Sequence, residues 1–247
     1  MKNCLMLSAL FLLSANSVIA SQGSEAPLTA AEIVSRMAAH DLTRQSSIDG
    51  YGGMRRYVLE NHKFNKRAEM LVQVRGDRDG TKHFEILSKD GWGGAHKHVL
   101  HKMLESESET SRPEIRANAK LTRENYDFEL AGTELVAGRT AYVLEVKPKR
   151  SEKYLFQGRI WVDAEDYALA RAEGQPAKKP SFWTKNIHFV QIYQKSGSLW
   201  FPLSTQSVTE ARLFGTTDVS IDYFDYTPKM LTAPDSSVVA AQVMVKP

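Results

Sequence analysis

The chain has a single cysteine, Cys4, and it stands ahead of an apolar run at the N-terminus rather than in the body of the sequence. The first twenty residues read as a cleavable export signal: "MKN" supplies positive charge, "CLMLSALFLL" the apolar stretch and "SVIA" a small-residue cleavage site after Ala20. The stretch is shorter than the roughly 20 residues that a bilayer span requires, and no later segment is longer or more apolar. The mature chain, starting at Ser21, is therefore expected to hold no thiol, which excludes disulfides, thiolate zinc sites and cysteine nucleophiles. Lipid anchoring is excluded by the same residue, because an acylated cysteine must stand at the cleavage point. An exported, periplasmic protein of one domain over 21–247, held by its hydrophobic core, is the expectation.

An excess of either charge is also lacking. Lys and Arg number 32 against 29 Asp and Glu, and they are interspersed, so nucleic acid is not an expected partner. No G-x-S-x-G elbow occurs, and no serine sits in a catalytic frame with a histidine and an acid, so an enzyme is not expected. "HKHVLH" brings His96, His98 and His101 together, but without a carboxylate in register and with lysines around them. A solvated helix face is the better reading than a metal site. Asp163, Glu165 and Asp166 lack the glycine and terminal glutamate of a calcium loop and read as a charged hairpin turn. No cofactor is expected.

What the sequence does have is alternation. "LTAAEIVSRMAAHD" begins as a helix with a Thr29/Glu32 capping box and an apolar stripe at Ile33 and Met37, Val34 being a further candidate. From "YGGMRRYVLEN" the period becomes two: Tyr57 and Leu59, then Met70 and Val72, then Phe84 and Ile86 share a face. A helical insertion over roughly 92–118 follows, with Val99, Leu100, Met103 and Leu104 on one side and Gly91, Gly93 and Gly94 at its entry. Alternation resumes with Tyr142 and Leu144, then Phe156, Ile160 and Val162, while Glu145, Lys147, Arg159 and Trp161 take the opposite face, and after the "DAED" break Tyr167, Leu169 and Arg171 alternate with Ala168 and Ala170. About ten or eleven strands are expected, joined by short turns with no βαβ rhythm. The tail 229–247 reads equally as an edge strand or a loose end. Lys147, Lys149, Arg150, Lys153, Lys178, Lys179 and Lys185 gather near hairpin ends, either as solvated turns that discourage edge pairing or as a weak basic rim for anionic membrane surfaces.

The order of helix, meander and inserted helices, with "YVLEVKPK", "GRIWVD", "YALARAEG", "WFP" and "IDYFDY", resembles the LolA-like outer-membrane lipoprotein-sorting proteins. That superfamily includes LolB and the RseB and MucB regulators. The resemblance implies a mainly β (α+β) fold, a curved antiparallel half-barrel whose concave apolar face is capped by helices and encloses acyl chains. It implies a lipoprotein or lipid carrier that meets a membrane-anchored transporter or acceptor and touches membranes transiently. On this reading Tyr57, Leu59, Met70, Val72, Phe84, Ile86, Tyr142, Leu144, Phe156, Ile160 and Val162 line the cavity, with Val99, Leu100, Met103 and Leu104 as its lid. Alternation alone says which residues point inward and not whether room is left, so a closed core stays open as the other reading. An RseB-type sensor is the alternative function. It would call for a second small domain, and only about twenty residues follow "IDYFDYTPK".

Overall fold

The computed structural model describes residues 28–179 and 184–231; the expected signal segment and most of the tail lie outside them. The capping box forms as read: the Thr29 hydroxyl accepts the Glu32 N–H at 3.3 Å, and the Glu32 carboxylate accepts the Thr29 N–H at 2.8 Å. Helix α1 (Ala30–Ser47) starts there and buries Ile33, Val34 and Met37.

Ten strands follow among the described residues: β1 (Ile48–Asn61), β2 (Lys66–Asp77), β3 (Lys82–Gly91), β4 (Tyr126–Val136), β5 (Arg139–Pro148), β6 (Phe156–Asp163), β7 (Leu169–Pro176), β8 (Thr184–Ser196), β9 (Leu199–Ala211) and β10 (Gly215–Met230). They form one antiparallel sheet in the order β3-β2-β1-β10-β9-β8-β7-β6-β5-β4. Neighbours in the sheet are neighbours in the chain except at one place. The chain enters at the middle, runs out to the β3 edge, crosses to the β4 edge and meanders back until β10 lies beside β1. Register shifts at Gly52/Met54, Leu71/Val72 and Leu130/Gly132 accentuate the bend. The result is a curved half-barrel, open between β3 and β4.

The crossing from one edge to the other is helical: α2 (Gly93–Ala95), a π turn (His96–Leu100), α3 (His101–Ser111) and α4 (Pro113–Ala119), the last begun by a proline at its first turn. The expected insertion is thus present. Gly91 allows the exit from β3, because its φ is 82° and a Cβ there would sit 2.3 Å from the Arg67 carbonyl oxygen.

Two expectations need correction. His96 is not on a solvated face: it is buried, and its Nε2–H donates to the Asp90 carbonyl at 2.8 Å, while His98 stays exposed and His101 faces Glu105 at 3.4 Å. The alternation read through Tyr167, Leu169 and Arg171 is broken by a bulge that opposes Val162 to Leu169 and Trp161 to Arg171. Leu169 therefore packs on the α1 side, whereas Arg171 swings to the other face and covers the Trp161 ring at 4.6 Å.

Candidate functional site

The concave face is divided in two. On one side Tyr57, Leu59, Met70 and Val72 are at most 1% exposed, with Phe84 and Ile86 packed on their margin and Val219, Ile221 and Tyr223 of β10 completing the floor. Leu100 and Leu104 cover this floor, with Met103 beside them; each buried leucine contributes about 1.5 to 3 kcal/mol. Val99, grouped with them in the sequence, is 37% exposed and lies outside the covering stripe, which runs instead through Leu100 and Leu104 at i, i+4.

On the other side Leu144, Ile160 and Val162 are fully buried beneath Ile33, Val34 and Met37 of α1, with Tyr142 and Phe156 packed on the same cluster. The expected lining residues thus gather in two separate clusters, each under its own helix. Arg36 of α1 donates to the Tyr167 hydroxyl at 2.6 Å, and Tyr167 stacks on Tyr142, so α1 is tied to the sheet at that point.

A polar group missed in the sequence reading lies within the first cluster. Arg55 sits in phase with Tyr57 and Leu59 and is 1% exposed. Its Nη1 donates to Glu107 Oε2 at 2.7 Å and to the Tyr57 hydroxyl at 3.3 Å, and its Nε donates to the Tyr226 hydroxyl at 3.0 Å. The guanidinium lies 4.8 Å from the Tyr223 ring centre and 5.2 Å from that of Phe84. Lys82, in phase with Phe84 and Ile86, reaches the other oxygen of the same carboxylate, Oε1, at 2.7 Å. Burial works against the charge on Glu107, but the Lys82 ammonium and the Arg55 guanidinium outweigh it and hold the carboxyl down to about 2. Burial pushes the Tyr57 and Tyr193 phenols up to about 12. The signal for both cations was their parity: a basic residue in the inward phase of an apolar strand.

The same stretch of α3 makes further polar contacts. The Ser111 hydroxyl accepts the Lys82 N–H at 2.9 Å, and the Ser108 hydroxyl donates to the Lys82 carbonyl at 3.3 Å, so the helix satisfies backbone groups of edge strand β3. From the opposite half of the sheet, Tyr154 donates to the Glu109 carboxylate and Lys153 approaches it at 3.6 Å. The C-terminal part of α3 is therefore held by polar contacts from both halves, while its N-terminal connection runs through Gly91, Gly93 and Gly94.

Two of the basic residues near the hairpin ends, read as solvated turns or a weak rim, make structural contacts instead. Arg150 donates to Asn125 Oδ1 at 2.9 Å and to the Asn118 carbonyl at 3.1 Å, and Lys149 donates to the Arg123 carbonyl. Asp163, in the charged turn, is 1% exposed and accepts two bonds from Arg139, at 2.6 and 2.8 Å, together with the N–H groups of Glu165 and Asp166. Among the described residues no three histidine or carboxylate side chains are placed to hold a metal ion. A hollow of about 840 Å³ opens among Glu145, Arg159, Glu173 and His188, side chains whose strand parity is opposite to that of Leu144 and Ile160. At the tip of the β1–β2 hairpin, Phe64 meets Trp92 and Phe214 edge-on at 6.3 and 6.2 Å, and Phe64, Leu213 and Phe214 are each about half exposed.

Residues 118–227, the end of α4 and nearly all of β4 to β10, match a protein family described as a family of unknown function (DUF5686). No curated protein matches the sequence. Solved structures that are similar to the chain include a DUF1329 family protein from Desulfovibrio piger, 15% identical over 85% of this chain and 99% of the other, with a TM-score of 0.43. An outer membrane lipoprotein-sorting protein domain from Vibrio parahaemolyticus is 15% identical over 86% and 98% of the two chains, with a TM-score of 0.42. A LolA superfamily protein from Nitrosomonas europaea is 13% identical over 85% and 96%, with a TM-score of 0.37.

Proposed function

We propose that the protein is a periplasmic carrier that holds the acyl chains of lipoproteins or other lipids against the concave face of the half-barrel, beneath the α2–α3 segment. The observation that supports this reading is the asymmetry of the cover. Tyr57, Leu59, Met70 and Val72 offer a continuous apolar floor, whereas the segment above it enters through glycines and is fastened at its far end by polar contacts.

Such a segment can lift as a lid when the ligand replaces what lifting gives up, the packing of Leu100 and Leu104 on the floor and the contacts of Glu107. An acyl chain then takes the place of Leu100, Met103 and Leu104 on the floor. Each buried methylene contributes about 0.8 kcal/mol, reduced by the ordering of chain and lid, which leaves binding strong enough for transport and weak enough for release. The exposed Phe64, Leu213 and Phe214, with Lys63 5.5 Å from the Phe64 ring, are suited to brief contact with a membrane surface or an anchored acceptor. Trp92 joins this tip to the entry of the lid.

Native mass spectrometry of the protein purified from its own periplasm tests the reading. Co-purifying lipid, displaced by a fluorescent fatty-acid probe, is the expected result. Protein that carries no lipid and takes up no acyl probe at micromolar concentrations would overturn it.

A further inference from the structure

We infer that Arg55 and Lys82 form a receptor for an anionic head group, and that Glu107 fills it as an internal stand-in while the lid is closed. The cargo is then an amphiphile with a carboxylate or phosphate head. This inference rests on the acyl-carrier reading and names the chemistry of its ligand.

A guanidinium cannot shed its charge by deprotonation, so at 1% exposure Arg55 needs an anion. The anion it has, Glu107, belongs to the moving element and not to the sheet. Its remaining hydrogen-bond partners are the neutral phenols of Tyr57 and Tyr226. Lys82 leans on the same carboxylate, one oxygen for each cation, both at 2.7 Å. One lid residue therefore balances two floor cations.

Lifting the lid removes Glu107 and leaves Arg55 and Lys82 facing an apolar compartment. A neutral acyl ligand would bind with both charges uncompensated, the situation in which loss of one member of a buried pair is most costly. An anionic amphiphile restores the balance by exchanging one anion for another. Its two oxygens can take the places of Oε1 and Oε2, while the alkyl chain follows the floor past Tyr57, Leu59 and Met70. The cradle does not depend on Glu107 for its shape, because Tyr57 and Tyr226 orient the guanidinium, and the Tyr223 and Phe84 rings pack against it. Head-group capture and lid opening thereby become one event: the ligand that displaces Glu107 also releases the contact that fastened α3.

The test titrates the full mature chain with dansyl-undecanoic acid and with its methyl ester. Wild type should prefer the acid by about tenfold or more, the scale of one charge-assisted contact. Glu107→Gln, which removes the internal competitor, should strengthen acid binding, and Arg55→Met should bring the acid-to-ester ratio close to one. Lys82→Met, at a less buried position, should lower the ratio even if Arg55→Met does not fold. Equal affinity for acid and ester in wild type would overturn the head-group site while leaving the acyl carrier standing. Failure to bind either probe would overturn both. Displacement of the acid by inorganic phosphate or acetate at the same concentration would assign the cations to small anions and overturn the amphiphile reading.

Discussion

Gly158 and Gly174 face each other across β6 and β7 so closely that a Cβ on Gly158 would lie 2.6 Å from the Gly174 Cα, and one on Gly174 would lie 3.1 Å from the Gly158 Cα. The carbonyls of Glu173 and Gln157 crowd the same two positions at 2.0 and 2.2 Å. This approach is made of backbone and cannot be relieved by a side-chain rotation. Gly174→Ala should therefore cost at least about 2 kcal/mol and lower Tm by several degrees. Gly93→Ala, where an added Cβ meets nothing within 4 Å, should leave Tm within a degree or two. Thermal melts of the two variants side by side decide the point.

The Glu107 carboxyl makes the stability of α3 dependent on acid. Its folded value is depressed from 4.5 to about 2 despite burial, by Lys82 of β3 and Arg55 of β1, with the phenols of Tyr57, Tyr193, Tyr223 and Tyr226 as neutral surroundings. A depressed carboxyl stabilises the fold above its unfolded value, and that contribution is lost as pH falls through the folded value. Stability should therefore decline between about pH 4.5 and about pH 2, by about 1 to 3 kcal/mol from this residue. Glu107→Gln should show a shallower decline over the same window in urea titrations. Amide exchange in α3 should rise ahead of exchange in β5 and β6 as the pH is lowered.

The two halves of the concave face should answer charge differently. Leu144→Glu places a carboxylate at a fully buried site between the sheet and α1, with neither water nor a cation beside it, and the chain should fail to fold or lose more than about 3 kcal/mol. Leu104→Glu lies on the buried side of α3, the segment fastened by polar contacts, so α3 should detach while the sheet persists. Far-ultraviolet circular dichroism should keep its β signature, and the amides of α3 should lose protection. A Leu104→Glu protein as unfolded as Leu144→Glu would show that both halves are core.

Asp163 should matter for folding and not for ligands. Asp163→Asn removes the charge that receives Arg139 at 2.6 and 2.8 Å, and leaves that guanidinium to Glu165 and Asp166 in the same turn. A loss of about 1 to 3 kcal/mol is expected from the bidentate charged pair alone, because the amide Oδ1 of the variant can still accept the two backbone N–H groups that close the turn. Affinity for an acyl probe, measured well below Tm, should stay as in wild type.

Much of the fold was legible because its signals are local. The Thr29/Glu32 capping box, the inward phase of Tyr57, Leu59, Met70 and Val72, and the outward phase of Glu145 and Lys147 all follow from spacing within a few residues. The failures have equally specific causes. Trp161 took the predicted opposite face and is nonetheless buried, since its indole N–H donates to Glu134 at 2.8 Å and Arg159 and Arg171 lie over its ring. Leu169 and Arg171 went to opposite faces because one extra residue in β7 reverses parity, and no local pattern announces that residue. Arg55 and Lys82 were visible as inward-phase cations and were passed over, because a basic residue in an apolar strand gains meaning only when its anion is known.

The sequence by itself determined the kinds of element, their order and, away from the β7 bulge, the face that strand side chains take, since helix capping and strand alternation act over a few bonds. Tertiary structure alone decided that β10 returns to pair with β1, that the apolar face divides beneath two helices, and that Glu107 lands on Arg55 and Lys82 from fifty-two and twenty-five residues away. Those outcomes depend on how a curved sheet brings distant segments together and on which charges must be paired once water is excluded, and neither quantity is written in any one stretch of the chain.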